Sequence, residues 1–299
     1  MTPSRGAASG PPPRGRSERA WLRYAQIRPR RRFSQNFLIN PRVRERLVER
    51  LDLDPGDAVL EIGAGSGALT LAMAPRVKRV WAVERDPRLA ELLRLRMRIE
   101  QPEARVKIIE GDILDLDPEP LRQAAKGGLA LVGNLPYAIT SPILLWILEH
   151  RRAWRTAVVM VQKEYGRRLL AETGQRTGSS LGVWIAFHAR VELEMRVTSG
   201  AFWPEPGVES WVLRLDFRDE PPCSLADPDW LERSLRVVFG RRRRQLAGCV
   251  AGALAIPRAE AEALLRELGI DPRRRGESLS LDEHCRLASE IGPRLARGG

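Results

Sequence analysis

From Ala58 to Glu172, short apolar runs alternate with stretches of helical period, and this alternation limits the chain to few architectures. Ala58 to Ile62, Val80 to Val83, Val106 to Ile109, Leu129 to Val132 and Thr156 to Val161 read as strands. Helices are expected among them at Ala68 to Ala74, Pro87 to Arg98, Pro142 to Leu148 and Gln162 to Glu172. Short apolar strands alternating with helices belong to a parallel sheet covered on both faces. Two later runs, Val191 to Val197 and Trp211 to Phe217, alternate in character and are expected as a hairpin at the sheet edge.

The flanks read differently. Residues 1–30 are rich in Pro, Gly, Ser and Arg, as in Gly10-Pro11-Pro12-Pro13-Arg14-Gly15-Arg16. Such a composition buries little apolar surface, so a disordered basic arm is expected there. Asn40-Pro41 has the form of a helix cap followed by proline at the first helical position, opening an amphipathic helix from Pro41 to Leu51. Beyond Phe217, Arg218-Asp219-Glu220-Pro221-Pro222 reads as a linker. Helical patterns follow at Trp230 to Phe239, Leu246 to Leu254, Arg258 to Leu268 and Leu281 to Ile291. The expected fold class is therefore α/β, with a Rossmann-like sheet domain over 31–218 and a smaller all-helical domain over 219–299. A chain of 299 residues, 43% of them hydrophobic, can fill two such cores.

The formal net charge is +12, which calls for a polyanionic partner, either nucleic acid or an anionic membrane surface. The longest apolar stretches, Ile143 to Leu148 and Leu246 to Ile256, fall short of the ~20 residues a membrane span needs. Three cysteines and three histidines are scattered without metal-ligand spacing, so no metal is expected. Few, odd-numbered cysteines fit a reducing, cytoplasmic setting, and the N-terminus has no apolar signal core.

Four strand ends carry the chemistry. Glu61-Ile62-Gly63-Ala64-Gly65-Ser66-Gly67 turns the first strand into a helix with bare backbone able to approach a ligand. Its spacing is GxGxG, not the GxGxxG of dinucleotide binders. Glu84 ends the next strand, where a carboxylate can accept both hydroxyls of a ribose. Asp112 follows the third strand, where it can accept from an adenine amino group with Ile113 beside the ring. Asn134-Leu135-Pro136-Tyr137 follows the fourth and offers an amide, a fixed backbone and an aromatic ring, groups that can hold a flat base. Ligands of open α/β sheets bind at the carboxyl ends of the strands, so these groups share one edge.

The order Gln35-Asn36-Phe37-Leu38, Glu61 to Gly67, Glu84, Gly111-Asp112 and Asn134 to Tyr137 resembles S-adenosylmethionine-dependent adenine-N6 methyltransferases. It looks most like the ribosomal RNA adenine dimethylase family, as does Phe202-Trp203-Pro204-Glu205-Pro206-Gly207-Val208-Glu209-Ser210. The resemblance implies S-adenosyl-L-methionine as methyl donor, with Asn36 and Leu38 closing over it. Gly63 would lie under its methionine part, Glu84 at its ribose and Asp112 at its adenine. Asn134 would stand between sulfonium and target base, its side-chain oxygen and the Leu135 carbonyl accepting from the amine. Tyr137 and Phe202 would stack on that base.

Phe239-Gly240-Arg241-Arg242-Arg243-Arg244-Gln245-Leu246 resembles the small-subunit branch of the family, as do Leu268 to Pro272 and Arg274 to Ser280. The partner implied is 16S rRNA in the small ribosomal subunit, met by a monomer with no membrane partner. Arg241 to Arg244 and Arg273 to Arg275 are expected to grip phosphates, joined by Arg151, Arg152 and Arg155. The chain departs from the family pattern at Ser34, Gly207, Glu209 and Arg176 to Gly182. Three rivals remain at this point: a large-subunit dimethylase of the macrolide-resistance type, a weakly active RNA-binding assembly factor and a nicotinamide oxidoreductase. The helical domain, the Glu84, Asp112 and Asn134 set and the glycine spacing argue against them in turn.

Overall fold

A computed structural model describes residues 12–30, 35–126, 128–170, 178–240 and 244–297. The chain forms two compact units, one of Met1–Lys163 with Glu192–Phe217 and the other of Glu164–Val191 with Arg218–Gly299.

In the first unit, β2 (Ala58–Ile62) pairs in parallel with β3 (Arg79–Glu84) on one side and β5 (Leu129–Asn134) on the other. Parallel pairing continues outward to β4 (Val106–Glu110) beyond β3 and to β6 (Trp154–Gln162) beyond β5. The sheet order is β4-β3-β2-β5-β6-β9-β7, with β9 (Ser210–Phe217) antiparallel to β6 and β7 (Ala189–Val197) at the edge. The two late strands are thus edge neighbours, as their pattern implied. The chain winds outward from β2 through β3 to β4, then crosses back to β5 and β6 on the other side. That reversal puts a crevice between the carboxyl ends of β2 and β5.

The crossovers are helical: α3 (Ala68–Met73), α4 (Pro87–Glu100), α5 (Glu119–Ala125) and α6 (Thr140–Glu149). Asn40 caps α2 (Pro41–Glu49) by accepting from the Arg42 and Val43 backbone nitrogens at 3.0 and 3.2 Å. Leu47, Val48 and Leu51 then pack with Leu69 and Met73 of α3 against Val59, Val132, Val158 and Val212 of the strands. β2 is buried at every position, as a strand covered on both faces must be.

The expected disordered arm needs correction over its described part; residues 1–11 lie outside the described residues. Glu18–Tyr24 is a helix, α1. Trp21 and Leu22 are fully buried and, with Ile27, pack against Leu89 and Leu92 of α4. The arm's average composition concealed this local apolar group, which buries enough surface to order one turn-rich segment.

The second unit is helical: α7 (Lys163–Leu170), α8 (Ser180–His188), α9 (Asp229–Gly240), α10 (Leu246–Leu254), α11 (Arg258–Glu267) and α12 (Leu281–Arg297). It therefore takes in 164–191 as well as the segment expected from 219 onward. α8 had no sequence signal, because apolar residues occupy all its sides and no amphipathic period marks it. Ser179 caps it by accepting from Gly182 N at 3.0 Å. Cys223 and Cys285 are joined in a disulfide with Cα atoms 6.4 Å apart, a pairing that scattered spacing did not announce. Trp21→Ala should lower stability by about 3 kcal/mol in chemical denaturation. A loss within experimental error would return residues 17–27 to a solvated arm.

Candidate active site

The loop between β2 and α3 stands at the crevice. Gly65 (φ +58°) and Gly67 (φ +90°) are left-handed, and a Cβ on Gly67 would lie 2.4 Å from Leu93 Cδ1. Only glycine meets both demands at 67 without displacing the Leu93 side chain of α4. The Gly63 and Ala64 nitrogens donate to the Val83 carbonyl at 2.9 and 3.0 Å, which fixes the start of the loop on β3.

Glu84 ends β3 and is buried. Its Oε2 accepts from Gly65 N and its Oε1 from Asp86 N, both at 2.7 Å. Burial raises its carboxyl above the usual range, and those two backbone donors oppose the shift. Each oxygen still has a lone pair for a second donor. Asp112 lies beyond β4, its Oδ1 accepting from Leu114 N at 3.2 Å and its Oδ2 paired with Arg85 at 2.9 Å. Ile113 beside it is buried and lines the crevice.

β5 delivers Asn134 across from the loop. Ile62 of β2 stands opposite Gly133, where a Cβ would come within 3.0 Å of the Ile62 side chain and carbonyl. Glycine at 133 therefore lets the two strand ends close together. Asn134 Nδ2 donates to the Asn36 carbonyl at 2.9 Å. With Nδ2 so committed, Oδ1 is the amide atom left to accept a hydrogen bond. Tyr137 is held through its hydroxyl by Ser210 Oγ at 3.0 Å. Burial raises the Tyr137 phenol, with the Ser210 contact opposing.

Gly63, Glu84, Asp112, Asn134, Leu135 and Tyr137 all line one cleft of about 940 Å³, open solvent at its mouth included, and Asn36 lines it with them. Two expected members do not. Leu38 is 5% exposed and Phe202 is 1% exposed, and both belong to the core under the sheet, not to the cleft wall. They pair across a two-stranded ribbon of β1 (Phe37–Leu38) and β8 (Phe202–Trp203), which turns alternate residues to opposite sides. Phe37 takes the cleft side instead, its ring 3.6 Å from where a Gly65 Cβ would stand and stacked on Trp203 at 6.2 Å. Gln35 also lines the cleft and donates to Asp86 at 3.1 Å, tying this segment to the end of β3. The period-2 rule applied to Phe37-Leu38 could have found the first; nothing local marked the second.

The arginines divide. Arg241 to Arg243 lie outside the described residues, while Arg244 and Arg275 are exposed in the second unit. Arg274 is spent internally on Glu283 and on the Ser278 carbonyl. Arg155 likewise binds the Leu51 and Asp52 carbonyls and Asp57, so its expected phosphate grip is withdrawn. Arg151 donates to the Leu148 carbonyl at 3.3 Å at the end of α6. Glu209 keeps a carboxylate where the family pattern has Asp, and it accepts from Lys163 at 2.7 Å.

A mixed sheet with a five-stranded parallel part, this reversal, this glycine turn and these acidic strand ends is the fold of S-adenosylmethionine-dependent methyltransferases. Within that class the chain belongs to the ribosomal RNA adenine dimethylase family, which matches residues 27–292. It is 38% identical over 281 residues to the ribosomal RNA small subunit methyltransferase A of Geobacter metallireducens, covering 93% of this chain and all of that one. The protein of the same name from Thermobifida fusca is 36% identical, covering 88% and 90%. Among solved structures, the 23S rRNA methyltransferase ErmE matches with TM-score 0.67 and 29% identity over 87% of this chain and all of its own. A dimethyladenosine transferase from Plasmodium falciparum shares the fold with TM-score 0.71 and 23% identity, covering 86% and 98%.

Glu61 gives the site a pH signature. It is buried beneath the loop, accepts from Thr70 Oγ1 at 2.5 Å, and its carboxyl is pushed up to about 8 by burial, with the Thr70 bond opposing. The folded state thus holds a proton that the unfolded chain loses above its ordinary value of 4.5. The resulting stability is whole below that value and is lost as pH rises through about 8. Glu61→Gln, which keeps an acceptor for Thr70, should flatten the fall in Tm between pH 5 and pH 8. An unchanged slope would show that Glu61 is ionised in the folded protein.

Proposed function

We propose that this protein dimethylates N6 of two adjacent adenines near the 3′ end of 16S rRNA in the small ribosomal subunit, using S-adenosyl-L-methionine. The observation that carries the reading is the Asn134 amide, fixed by the Asn36 carbonyl at the sheet's reversal point with its oxygen left to accept. Relatives 36–38% identical over most of their length carry the small-subunit name, which favours this substrate over large-subunit RNA.

The residues present fit the donor. Gly63 and Gly111 expose backbone, a Cβ on Gly111 meeting nothing within 4 Å and one on Gly63 nothing nearer than the Asn134 carbonyl at 3.9 Å. Glu84 would accept from ribose hydroxyls with its remaining lone pairs, and Asp112 from the adenine amine beside Ile113. Asn36 and Phe37 would cover the donor. When bound, the donor supplies an electrophilic methyl on a cationic sulfur.

The chain's own part is to make a poor nucleophile competent. The lone pair of an exocyclic adenine amine is delocalised into its ring. Accepting both N–H bonds at Asn134 Oδ1 and the Leu135 carbonyl favours a pyramidal nitrogen whose lone pair faces the methyl group. Positioning then supplies most of the rate. The amine becomes cationic before it loses its proton, so no strong base is needed. Tyr137, its ring held by Ser210, would stack on the extruded base, worth ~1–3 kcal/mol. A single copy would be the working unit, acting on ribosomes in the cytoplasm. Exposed Arg244, with Arg241 to Arg243 before it in sequence, and exposed Arg275 would bind phosphates in a salt-dependent way.

Labelled S-adenosylmethionine incubated with under-methylated small subunits should place two methyl groups on each of two adjacent adenines, with none on large-subunit RNA. Label confined to large-subunit RNA would overturn the reading. Asn134→Ala should keep small-subunit binding and lower transfer by at least about a hundredfold, in line with losing a positioning group. Unchanged turnover in that variant would remove Asn134 from the mechanism.

A further inference from the structure

One buried polar network near the cleft has no part in the chemistry above. Glu18 of α1, Ser66 of the glycine-rich loop and Arg96 of α4 are 5%, 2% and 3% exposed. Ser66 Oγ donates to Glu18 Oε2 at 2.7 Å. Arg96 Nη1 donates both to that same Oε2 and to the Ser66 carbonyl, each at 2.7 Å. One guanidinium nitrogen thus joins the helix carboxylate to the loop backbone. The second, Nη2, reaches Glu100 at 3.1 Å, and Glu100 also accepts from Trp21 Nε1 at 2.9 Å. The Trp21 ring lies 5.2 Å under the guanidinium.

The loop needs such a tether. A left-handed, glycine-rich turn loses more conformational entropy on ordering than any other backbone of its length. Its first half is held by Val83 and Glu84 through the Gly63, Ala64 and Gly65 nitrogens. Its second half has one polar side chain, Ser66, and both the hydroxyl and the carbonyl of that residue end on the Glu18–Arg96 pair. A buried ion pair adds little net stability over apolar packing of the same shape. What this pair does supply is a fixed position for the loop.

We infer that Glu18 and Arg96 are positioning residues for the methyl-donor loop, acting through Ser66, so that α1 is a working part of the donor site. The inference rests on the reading that Glu61 to Gly67 cradles the donor. A purely structural role for the network predicts something else: loss of Glu18 would lower Tm and leave donor affinity alone.

The test uses the full chain, S-adenosylhomocysteine titrated by calorimetry, and steady-state kinetics on under-methylated small subunits. Glu18→Ala and Ser66→Ala should each weaken S-adenosylhomocysteine about tenfold, the size of one lost hydrogen bond to a charged group. Each should raise KM for the donor by a similar factor, leave kcat within about twofold and leave small-subunit binding unchanged, since the tether acts on the donor alone. The double variant should be no weaker than the weaker single, because both cut one tether. Should Glu18→Ala fail to fold, Ser66→Ala carries the test, since it removes a single hydroxyl. Wild-type affinity in folded Ser66→Ala, or in Glu18→Ala with a lowered Tm, overturns the inference. Glu84→Ala separates the two readings: if it alone loses affinity, the cradle stands and the tether falls. If neither it nor the tether variants change affinity, or the wild-type chain does not bind, both fall.

Discussion

The close approach of β2 and β5 is the constraint on which the site depends. Their register sets Ile62 against Gly133, and the missing Cβ at 133 is what lets the two strand ends lie side by side. Every later feature follows from that pairing. The chain leaves β2 into the glycine turn on one side and leaves β5 into Asn134 on the other. The glycine turn and Asn134 are thereby brought to one crevice by strands fixed by ladder hydrogen bonds. A Cβ at 133 would stand 3.0 Å from Ile62 and from Leu135 Cδ2, so a larger residue there would press on the end of β2 and on the residue after Asn134 at once.

Around this centre the chain accumulates buried carboxylates, and each is handled differently. Glu84 lines the cleft, and burial raises its carboxyl while hydrogen bonds from the Asp86 and Gly65 nitrogens oppose the shift. Among the described residues Glu61 meets the Thr70 hydroxyl and no cation, so burial favours its neutral form. Glu18 is fully paired with Arg96, which makes it the one buried carboxylate of the three with a cation in contact. Asp86, at the foot of α4, is held below the usual carboxylate range. Burial works against its charge, and hydrogen bonds from Arg88 and Gln35 outweigh that cost. Electrostatics here shape the loop and its supports, and Asn134 itself carries no charge.

Much of this was legible in the sequence because strand ends are legible. Glu84, Asp112 and Asn134 each close an apolar run, and a doubly wound sheet sends all such ends to one edge. The misreadings have equally physical causes. Leu38 and Phe202 belong to motifs whose order is readable but whose side of the ribbon depends on how β1 pairs with β8, a contact between residues far apart in sequence. Average composition hid α1, where Trp21 and Leu22, with Ile27 just beyond the helix, lie among arginines and order a segment that charge alone would leave free. Arg155 and Arg274 show the converse: an arginine's place in a basic run says nothing about carbonyls that the fold brings to it. α8 escaped notice because a helix apolar on all sides carries no period.

The same geometry favours an amide at 134, the residue proposed to hold the target amine. Asn134 uses its nitrogen as a donor to the Asn36 carbonyl, and that bond fixes which face of the side chain turns to the cleft. An aspartate at 134 has no donor to give. It would set a carboxylate oxygen against a carbonyl oxygen about 3 Å away, a repulsion that rotates the side chain out of place. It would also add a negative charge to a wall that already presents Glu84 and Asp112. An amine that loses its proton only after it becomes cationic gains nothing from a stronger base. What it needs is an acceptor held still, and in this cleft the residue that can be held still is the one with a donor to spare.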